Sequence, residues 1–332
     1  MKHAVRSLLA AVLIASPALG QPAEKPNPDK PSAAQAAPKG SVIKIIDAGA
    51  EPRRALRYAP TKGDEFGFEM RIKMSMAMGM NGQKMPNTAM PEMVMVGGVN
   101  VLDAAPDGDV KLKLVYGRGR LEGTDGVMPM MVSAMKKVMD NMPGVTGEFV
   151  FTSRGDLVSG SFTFPEGIDP GTRQQLQQTG KSMEQMTLPL PAEPVGKGAK
   201  WTADKVIENN GVKVNAVYTQ EVTDLSDNAF SVKVSLKGDA DKESLPGGAK
   251  IESFTMSGGG EQRMDLRRVI PISARFINDV TTVMDSGQGK MTMDMSMVMT
   301  MKQTEPGQGT QAPLPGEKKP AAADPKNAPP KF

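Results

Sequence analysis

The sequence predicts a mainly β protein, in which a large curved antiparallel sheet or half-barrel packs on two amphipathic helices. Two observations support this fold class. Apolar residues recur at every second position through much of residues 65–303, which is the period of a strand with one buried face. Short clusters of Gly, Asp, Asn and Ser separate these runs, as the turns of an antiparallel meander require.

The first twenty residues, MKHAVRSLLAAVLIASPALG, have the pattern of a cleavable signal peptide. Two basic residues precede an apolar run from Leu8 to Ala15, and Ala18 and Gly20 supply the small residues that a signal peptidase needs. The run is too short to cross a bilayer, and no later run reaches the roughly 18 apolar residues of a spanning helix. We therefore expect a periplasmic or secreted protein with no transmembrane segment and no cysteine that could carry a lipid.

Two residue types that are common in enzyme sites are missing after the signal. The sequence has no cysteine, and its one histidine is His3. This excludes serine triads, cysteine nucleophiles and His-bearing zinc sites, so we expect a protein that is not an enzyme and has no catalytic residue, metal site or cofactor. The formal charge is only +3 and aromatic residues make up 4% of the chain, which gives no basis for binding nucleic acid.

The chain is predicted to consist of one β-rich domain, 41–303, between two arms. Residues 21–40 and 304–332 are rich in Pro, Ala and Lys and lack the apolar residues of a core, so both arms are predicted to be disordered. A Pro-rich stretch at 188–198 divides the domain. We favour one continuous curved sheet, with two halves joined near 188–198 as the alternative.

The strands of this domain follow from their alternation. In MRIKMSMAMGM, at 70–80, the even positions are apolar and the odd positions form the other face. The runs DVKLKLVYG, GVKVNAVYT and AFSVKVSL alternate in the same way, and MTMDMSMVMTM, at 291–301, places a methionine at every odd position. Each is therefore predicted to be a strand with one apolar face.

Two segments have a helical period instead. In VMPMMVSAMKKVMDNM the apolar residues recur at three and four, which predicts a helix from Pro129 to Met142 that Pro143 terminates. A second helix is predicted from Asp169, a capping residue followed by Pro170, through Met186.

Four stretches carry a resemblance to known proteins. The succession LRYAPTKGDEFGFEM, GEFVFTSRGDLVSG, LPLPAEPVGKGAKW and SGGGEQRMDL, the last taken as a glycine-marked strand start, resembles an uncharacterised family of exported bacterial proteins with a domain of unknown function. The resemblance spans most of residues 55–302 and implies no activity. In architecture only, the plan of a large sheet around a few helices is similar to periplasmic lipoprotein carriers of the LolA type, which hold acyl chains against a curved sheet.

The methionines suggest a function because Met is a poor strand former, yet the chain uses it on its most regular strands. Met is flexible and polarizable, and such residues form binding surfaces that adapt to different apolar ligands. We therefore predict a surface that binds a lipid, an acyl chain or another apolar ligand, with the helix as a lid or plug. Its predicted lining is Met74, Met76, Met78, Met80, Met131, Met135, Met139, Met293, Met295 and Met297.

Two other interpretations stay open from the sequence. Thioethers are soft ligands that select Cu(I), so the same residues are compatible with a Met-rich copper-binding protein of the periplasm. Alternatively, the methionines fill an ordinary core and the protein has a structural role in the cell envelope, without a small-molecule ligand.

Overall fold

The computed structural model describes residues 42–307, apart from 86–87, 106–107, 169–172, 174–187, 210–211, 241–249 and 286–288. Fifteen strands within this part of the chain join one antiparallel sheet, which confirms the mainly β fold class. The predicted signal, the predicted arm at 21–40 and residues 308–332 lie outside the described residues, whereas 304–307, the start of the predicted C-terminal arm, are described.

The strands are β1 (Val42–Asp47), β2 (Glu65–Met80), β3 (Gln83–Lys84), β4 (Thr88–Ala89), β5 (Glu92–Ala104), β6 (Val110–Tyr116), β7 (Arg120–Glu122), β8 (Thr146–Phe151), β9 (Leu157–Thr163), β10 (Lys200–Asn209), β11 (Val212–Leu225), β12 (Ala229–Ala240), β13 (Lys250–Asp265), β14 (Ser273–Asp285) and β15 (Lys290–Thr304). The single α-helix of the described residues, α1, spans Pro129–Asp140.

The sheet consists of two meanders that meet along one seam. Its order is β1-β10-β11-β12-β13-β14-β15-β2-β5-β6-β8-β9, with β3 and β4 paired to β2 and β7 paired to β5. Apart from β1, which pairs with the distant β10, each meander pairs long strands that follow one another in the chain, and β15 joins β2 to connect the two. The sheet is not closed, because β1 and β9 remain its edge strands. The expectation of one continuous sheet is therefore confirmed.

One core lies against one face of this sheet, which we call the inner face. Strands of both meanders contribute to it, including Phe68 of β2, Phe149 of β8 and Phe230 of β12. Strands so far apart in the order can share a core only if the sheet curls around it. The fully buried Trp201, at the start of β10, is among the largest side chains of this core.

Two segments without regular structure, one around Tyr58 and one around Pro189, cross the core at the end where β2 begins. The Tyr58 N–H donates to Ser153 O (2.7 Å) and the Ala59 N–H donates to Leu266 O (2.7 Å), so this segment links the β8–β9 turn to the β13–β14 turn. The second segment includes residues 188–199, and the Trp201 Nε1–H donates to Pro189 O (3.2 Å). These bonds satisfy backbone groups that burial would otherwise leave unpaired.

The helix prediction is confirmed in part. α1 begins at Pro129, where the missing N–H of proline is tolerated, and it ends at Asp140, close to the predicted boundary. The described residues contain one helix rather than the two expected, and the helix predicted from Asp169 to Met186 lies, apart from Arg173, outside them. Over the described ranges, no helix is long and apolar enough to span a membrane.

A run of glycines lies within β13, not at a strand start as the sequence suggested. A Cβ on Gly260 would stand 1.8 Å from Arg275 O, and one on Gly258 would stand 2.3 Å from Ile277 O, both in the neighbouring β14. Such distances are far below any real contact, so β13 and β14 can approach each other here only because these positions lack side chains.

Candidate functional site

The methionines of β2 and β15 face each other in pairs. The register pairs Met70 with Met301, Met74 with Met297, Met76 with Met295, Met78 with Met293 and Met80 with Met291, and Ile72 pairs with Met299. Residues directly opposite each other share one face of a sheet, with Cβ atoms about 4.5–5.5 Å apart. We call these paired residues the methionine ladder. Because Phe68 and Met70 belong to the core, the ladder lies on the inner face.

Residues towards both ends of the ladder belong to hydrophobic clusters, whereas those in its middle do not. Met70 and Met301 belong to the main core, while Met291, with Met78 packed against it, belongs to a second small cluster. We call each pair of facing residues a rung. The middle rungs, Met74 with Met297 and Met76 with Met295, belong to neither cluster, and their side chains are half-buried. The terminal Met80 is 49% exposed. The structure thus leaves a partly exposed apolar surface between two packed regions.

The predicted lining residues of the helix lie apart from this open surface. Met135 and Met139 of α1 are buried and Met131 is half-buried, whereas Met130, on the opposite side, is 75% exposed. The nearest strand to the helix is β7, and a Cβ on Gly119 would stand 2.8 Å from Met139 Sδ. Met139 belongs to the main core cluster, whereas the middle of the ladder belongs to neither cluster. Among the described residues, the helix does not form a lid over the middle rungs.

A second group of residues on the inner face is polar, and the sequence reasoning missed it. Gln220 of β11, Gln262 of β13 and Asn278 of β14 point to the core side, and each has a buried side-chain oxygen without a hydrogen-bond partner among the described residues. Their positions follow from alternation, since Gln220 lies between the inward-facing Tyr218 and Val222. A polar residue at an inward position of a regular strand was the signal that could have revealed this group.

Two small cavities lie against the inner face. One of about 10 Å³ is lined by core residues that include Phe68, Tyr116 and Met301. The other, of about 20 Å³, lies between the sheet and the segment 188–199, and Gln220 and Gln262 line it. Each has room for about one water molecule, so neither encloses an acyl chain.

The outer face of the same strands carries an ion-pair network. Arg71 donates from Nε to Glu69 (3.0 Å) and from Nη1 to Glu122 (2.8 Å). Arg120 donates to Glu122 (2.8 Å), and the Lys302 ammonium lies 3.3 Å from Glu69. Partial burial acts to raise the pKa of Glu69, but hydrogen bonds from Arg71 and Lys302 hold that pKa below its usual range. The network therefore links β15, β2 and β7 on the side opposite the ladder.

Among the ion pairs of the described residues, Asp265, at the end of β13, has the most buried carboxylate. Its side chain is 8% exposed and accepts hydrogen bonds from the backbone N–H (2.9 Å), Nε (3.0 Å) and Nη2 (2.6 Å) of Arg267. The hydrogen bond from the Arg267 side chain lowers the pKa of Asp265, while burial opposes this change.

We expect the stability of the protein to fall in acid because of these carboxylates. A lowered pKa in the folded state stabilises the protein above the unfolded value, near pH 4, and this contribution is lost as the pH falls through the folded value. The free energy of unfolding, measured by urea titration, should be level from about pH 5 to 7 and decline below about pH 4. Asp265→Asn should reduce this decline, whereas Asp279→Asn, at an exposed position of β14, should leave it unchanged. A decline of equal size in all three proteins would contradict the assignment to Asp265.

Comparison of the sequence with models of known protein families finds no match, and comparison with curated proteins finds no significant match.

Proposed function

We propose that this chain is an exported protein, periplasmic or secreted, without enzymatic activity, and that it binds an apolar ligand, an acyl chain of a lipid, on the methionine ladder. The observation that carries the proposal is the half-buried middle of the ladder, which belongs to neither core cluster. The signal-like N-terminus supports export. The resemblance to exported bacterial proteins, and in architecture to carriers of the LolA type, is in keeping with it.

The chemistry of the ladder suits a ligand of variable shape. A methionine side chain has three rotatable bonds and a polarizable sulfur, so neighbouring rungs can repack around different chains. Leu or Val would fill a fixed core better, because Met specifies packing poorly. Since these two cavities are too small for an acyl chain, the ligand would lie along the half-buried middle of the methionine ladder.

A second candidate function, Cu(I) binding, is favoured by the pairing of the rungs. Met74 and Met76 stand directly opposite Met297 and Met295, so four thioethers meet on one face within two rungs. Soft thioether ligands of this kind select Cu(I). We rank this candidate second because the end rungs pack into apolar clusters. A structural envelope protein with no small-molecule ligand is the remaining alternative.

The test compares two variants of β2 and β15, one with new amide side chains on the inner face and one with new amide side chains on the outer face. Met76→Asn with Met295→Asn should weaken the binding of a fluorescent fatty acid about tenfold or more. The acyl chain would then cover two amide side chains without forming hydrogen bonds to them. The matched control is Ser75→Asn with Ser296→Asn, since Ser75 and Ser296 pair on the outer face of the same strands. That control should bind within about twofold of the parent. Equal effects in the two variants, or no uptake by the folded parent, would contradict the proposal.

A variant without sulfur separates the two ligands. Met74, Met76, Met78, Met293, Met295 and Met297 are changed together to Leu, which keeps an apolar surface of similar volume. We expect this variant to retain fatty-acid binding, and we expect the parent not to compete with a chelator for Cu(I). Tight Cu(I) binding by the parent that the Leu variant loses would favour the second candidate instead.

A further inference from the structure

Four methionines expose much of their side chains to solvent. Met130 is 75% exposed, and Met80, Met128 and Met85 are 49%, 48% and 45% exposed. In the described part of the chain they are half of the large apolar residues that are exposed, the others being Val42, Ile46, Val206 and Val217. Neither hydrophobic cluster of the described residues includes any of the four methionines. Small solutes can therefore reach these side chains, and the core does not depend on their packing.

Local structure does not account for methionine at these positions. Met128 directly precedes α1, where Ser, Thr, Asp or Asn is preferred because its side-chain oxygen accepts a backbone N–H. Met128 makes no hydrogen bond of this kind. Met130 lies in the first turn of α1, where any good helix former would serve. Met80 ends β2 beside the turn at Asn81 and Gly82, and it is exposed there. Neither capping nor packing therefore explains the choice of residue.

The other side chains that oxidants attack are missing or buried. The sequence has 27 methionines and no cysteine, so thiols do not compete with thioethers for an oxidant. Trp201, the only tryptophan, has no exposed surface, and Tyr58 and Tyr116 are buried. An oxidant that approaches the described part of the chain from solvent therefore meets methionine sulfur as its most reactive target.

Oxidation has opposite consequences for the exposed and the buried methionines. A sulfoxide is polar, so it disrupts an apolar core, whereas water solvates it at the surface. Met70, Met139 and Met301 belong to the main core and are nearly inaccessible. The middle rungs of the ladder are half-buried and lie between these extremes. The chain thus carries an exposed set of thioethers that can be oxidised without loss of packing, and a buried set that cannot.

From this arrangement we propose that Met80, Met85, Met128 and Met130 are oxidation sites that consume hypohalous acids and so protect the methionines of the core. Hypochlorous acid is the probe of this class. The thioether sulfur attacks its chlorine and displaces hydroxide, and water then adds oxygen to the sulfur as chloride leaves. In sum, a thioether and hypochlorous acid give a sulfoxide, chloride and a proton, with two electrons passing from sulfur to chlorine. This small electrophile needs no binding pocket or catalytic group, in keeping with separate thioethers on a surface. The role does not depend on binding of an apolar ligand.

The order of oxidation tests the proposal on the parent protein. Hypochlorous acid is added in steps to the folded protein, and peptide mass spectrometry measures the sulfoxide at each methionine. We expect Met130 to react first and the other three exposed methionines next, with Met139 and Met301 last. At one equivalent of oxidant, the four exposed residues should be at least about fivefold more oxidised than the two core residues. Equal oxidation of the two sets would overturn the proposal.

A variant tests the protection of the core. Met85, Met128 and Met130 are changed together to Leu, because these three lie outside the methionine ladder. The dose of hypochlorous acid at which half of the protein loses its far-UV circular dichroism should fall by about three equivalents, since three thioethers are missing. The matched control changes the exposed Val42, Val206 and Val217 to Leu, and its dose should equal that of the parent.

An equal dose for the parent and the methionine variant would overturn the protective role. The order of oxidation in the parent needs no variant, so it decides the proposal even if the triple variant fails to fold. Both readouts are independent of ligand uptake. Failure of the parent to bind a fatty acid would therefore contradict the proposed function and leave the oxidation sites standing.

Discussion

Trp201→Ala should destabilise the protein by about 3–5 kcal/mol, the usual cost of removing a fully buried aromatic side chain. Trp201 has no exposed surface, and it packs in a core to which strands of both meanders contribute. The substitution also removes the donor to Pro189 O, which would leave a buried carbonyl unpaired. A loss of this size is a large part of the 5–15 kcal/mol that a typical domain has.

The measurement is urea unfolding followed by far-UV circular dichroism, since Trp201 is the only tryptophan and its fluorescence disappears with it. Trp201→Phe keeps an apolar ring and loses only the N–H, so its loss should be clearly smaller. Val206→Ala is a matched control on the same strand, because Val206 is 69% exposed. Its effect should stay within about 0.5 kcal/mol. A Trp201→Ala protein as stable as this control would show that the core is not as described.

Gly260→Ala should destabilise the protein by about 3 kcal/mol or more, although it adds only one methyl group. In a strand interior without close contacts, alanine is more favourable than glycine by roughly 0.5–1 kcal/mol, so the expected sign is reversed here. The reason is the distance of 1.8 Å between the new Cβ and Arg275 O, which forces β13 away from β14. The backbone hydrogen bonds between β13 and β14 would then lengthen or break.

The control for this substitution is Ser257→Ala, at an exposed position of the same strand, where a Cβ is already present. Its unfolding midpoint in urea should stay close to that of the parent. Hydrogen exchange gives a local readout, since Gly260→Ala should speed the exchange of amides in β13 and β14 before those in β6 and β8. An unchanged midpoint for Gly260→Ala would contradict the close approach of the two strands.

Alternation predicted the faces of the strands correctly but could not predict their partners. The odd positions of 291–301 and the even positions of 70–80 each form one apolar face, and both lie on the inner face. Periodicity fixes which side of a strand is buried, yet it carries no information on which distant strand lies beside it. The pairing of β15 with β2 therefore came only from the structure.

Sequence reasoning pointed to the methionines of the inner face but not to the buried polar residues beside them. Met74, Met76, Met295 and Met297 lie together in the half-buried middle of the ladder, whereas Met135 and Met139 of the helix lie buried apart from it. A helical apolar stripe shows that a face is buried but not against what. Alternation alone assigns Gln220 and Gln262 to the inner face. That their side-chain oxygens lack hydrogen-bond partners can be seen only once the neighbouring strands are in place.

The seam between β15 and β2 also determines how the chain reaches its folded state. Apart from β1, partners within each meander are near in sequence and can pair early, but the seam joins the first long strand of the described residues to the last one. Such non-local pairing slows folding, because a long loop must close before the contacts form. Until then β2 and β15 each present an unpaired edge lined with methionine, the kind of edge that invites association between chains. The edge of β2 therefore stays without its partner until β15, near the end of the described chain, has been synthesised.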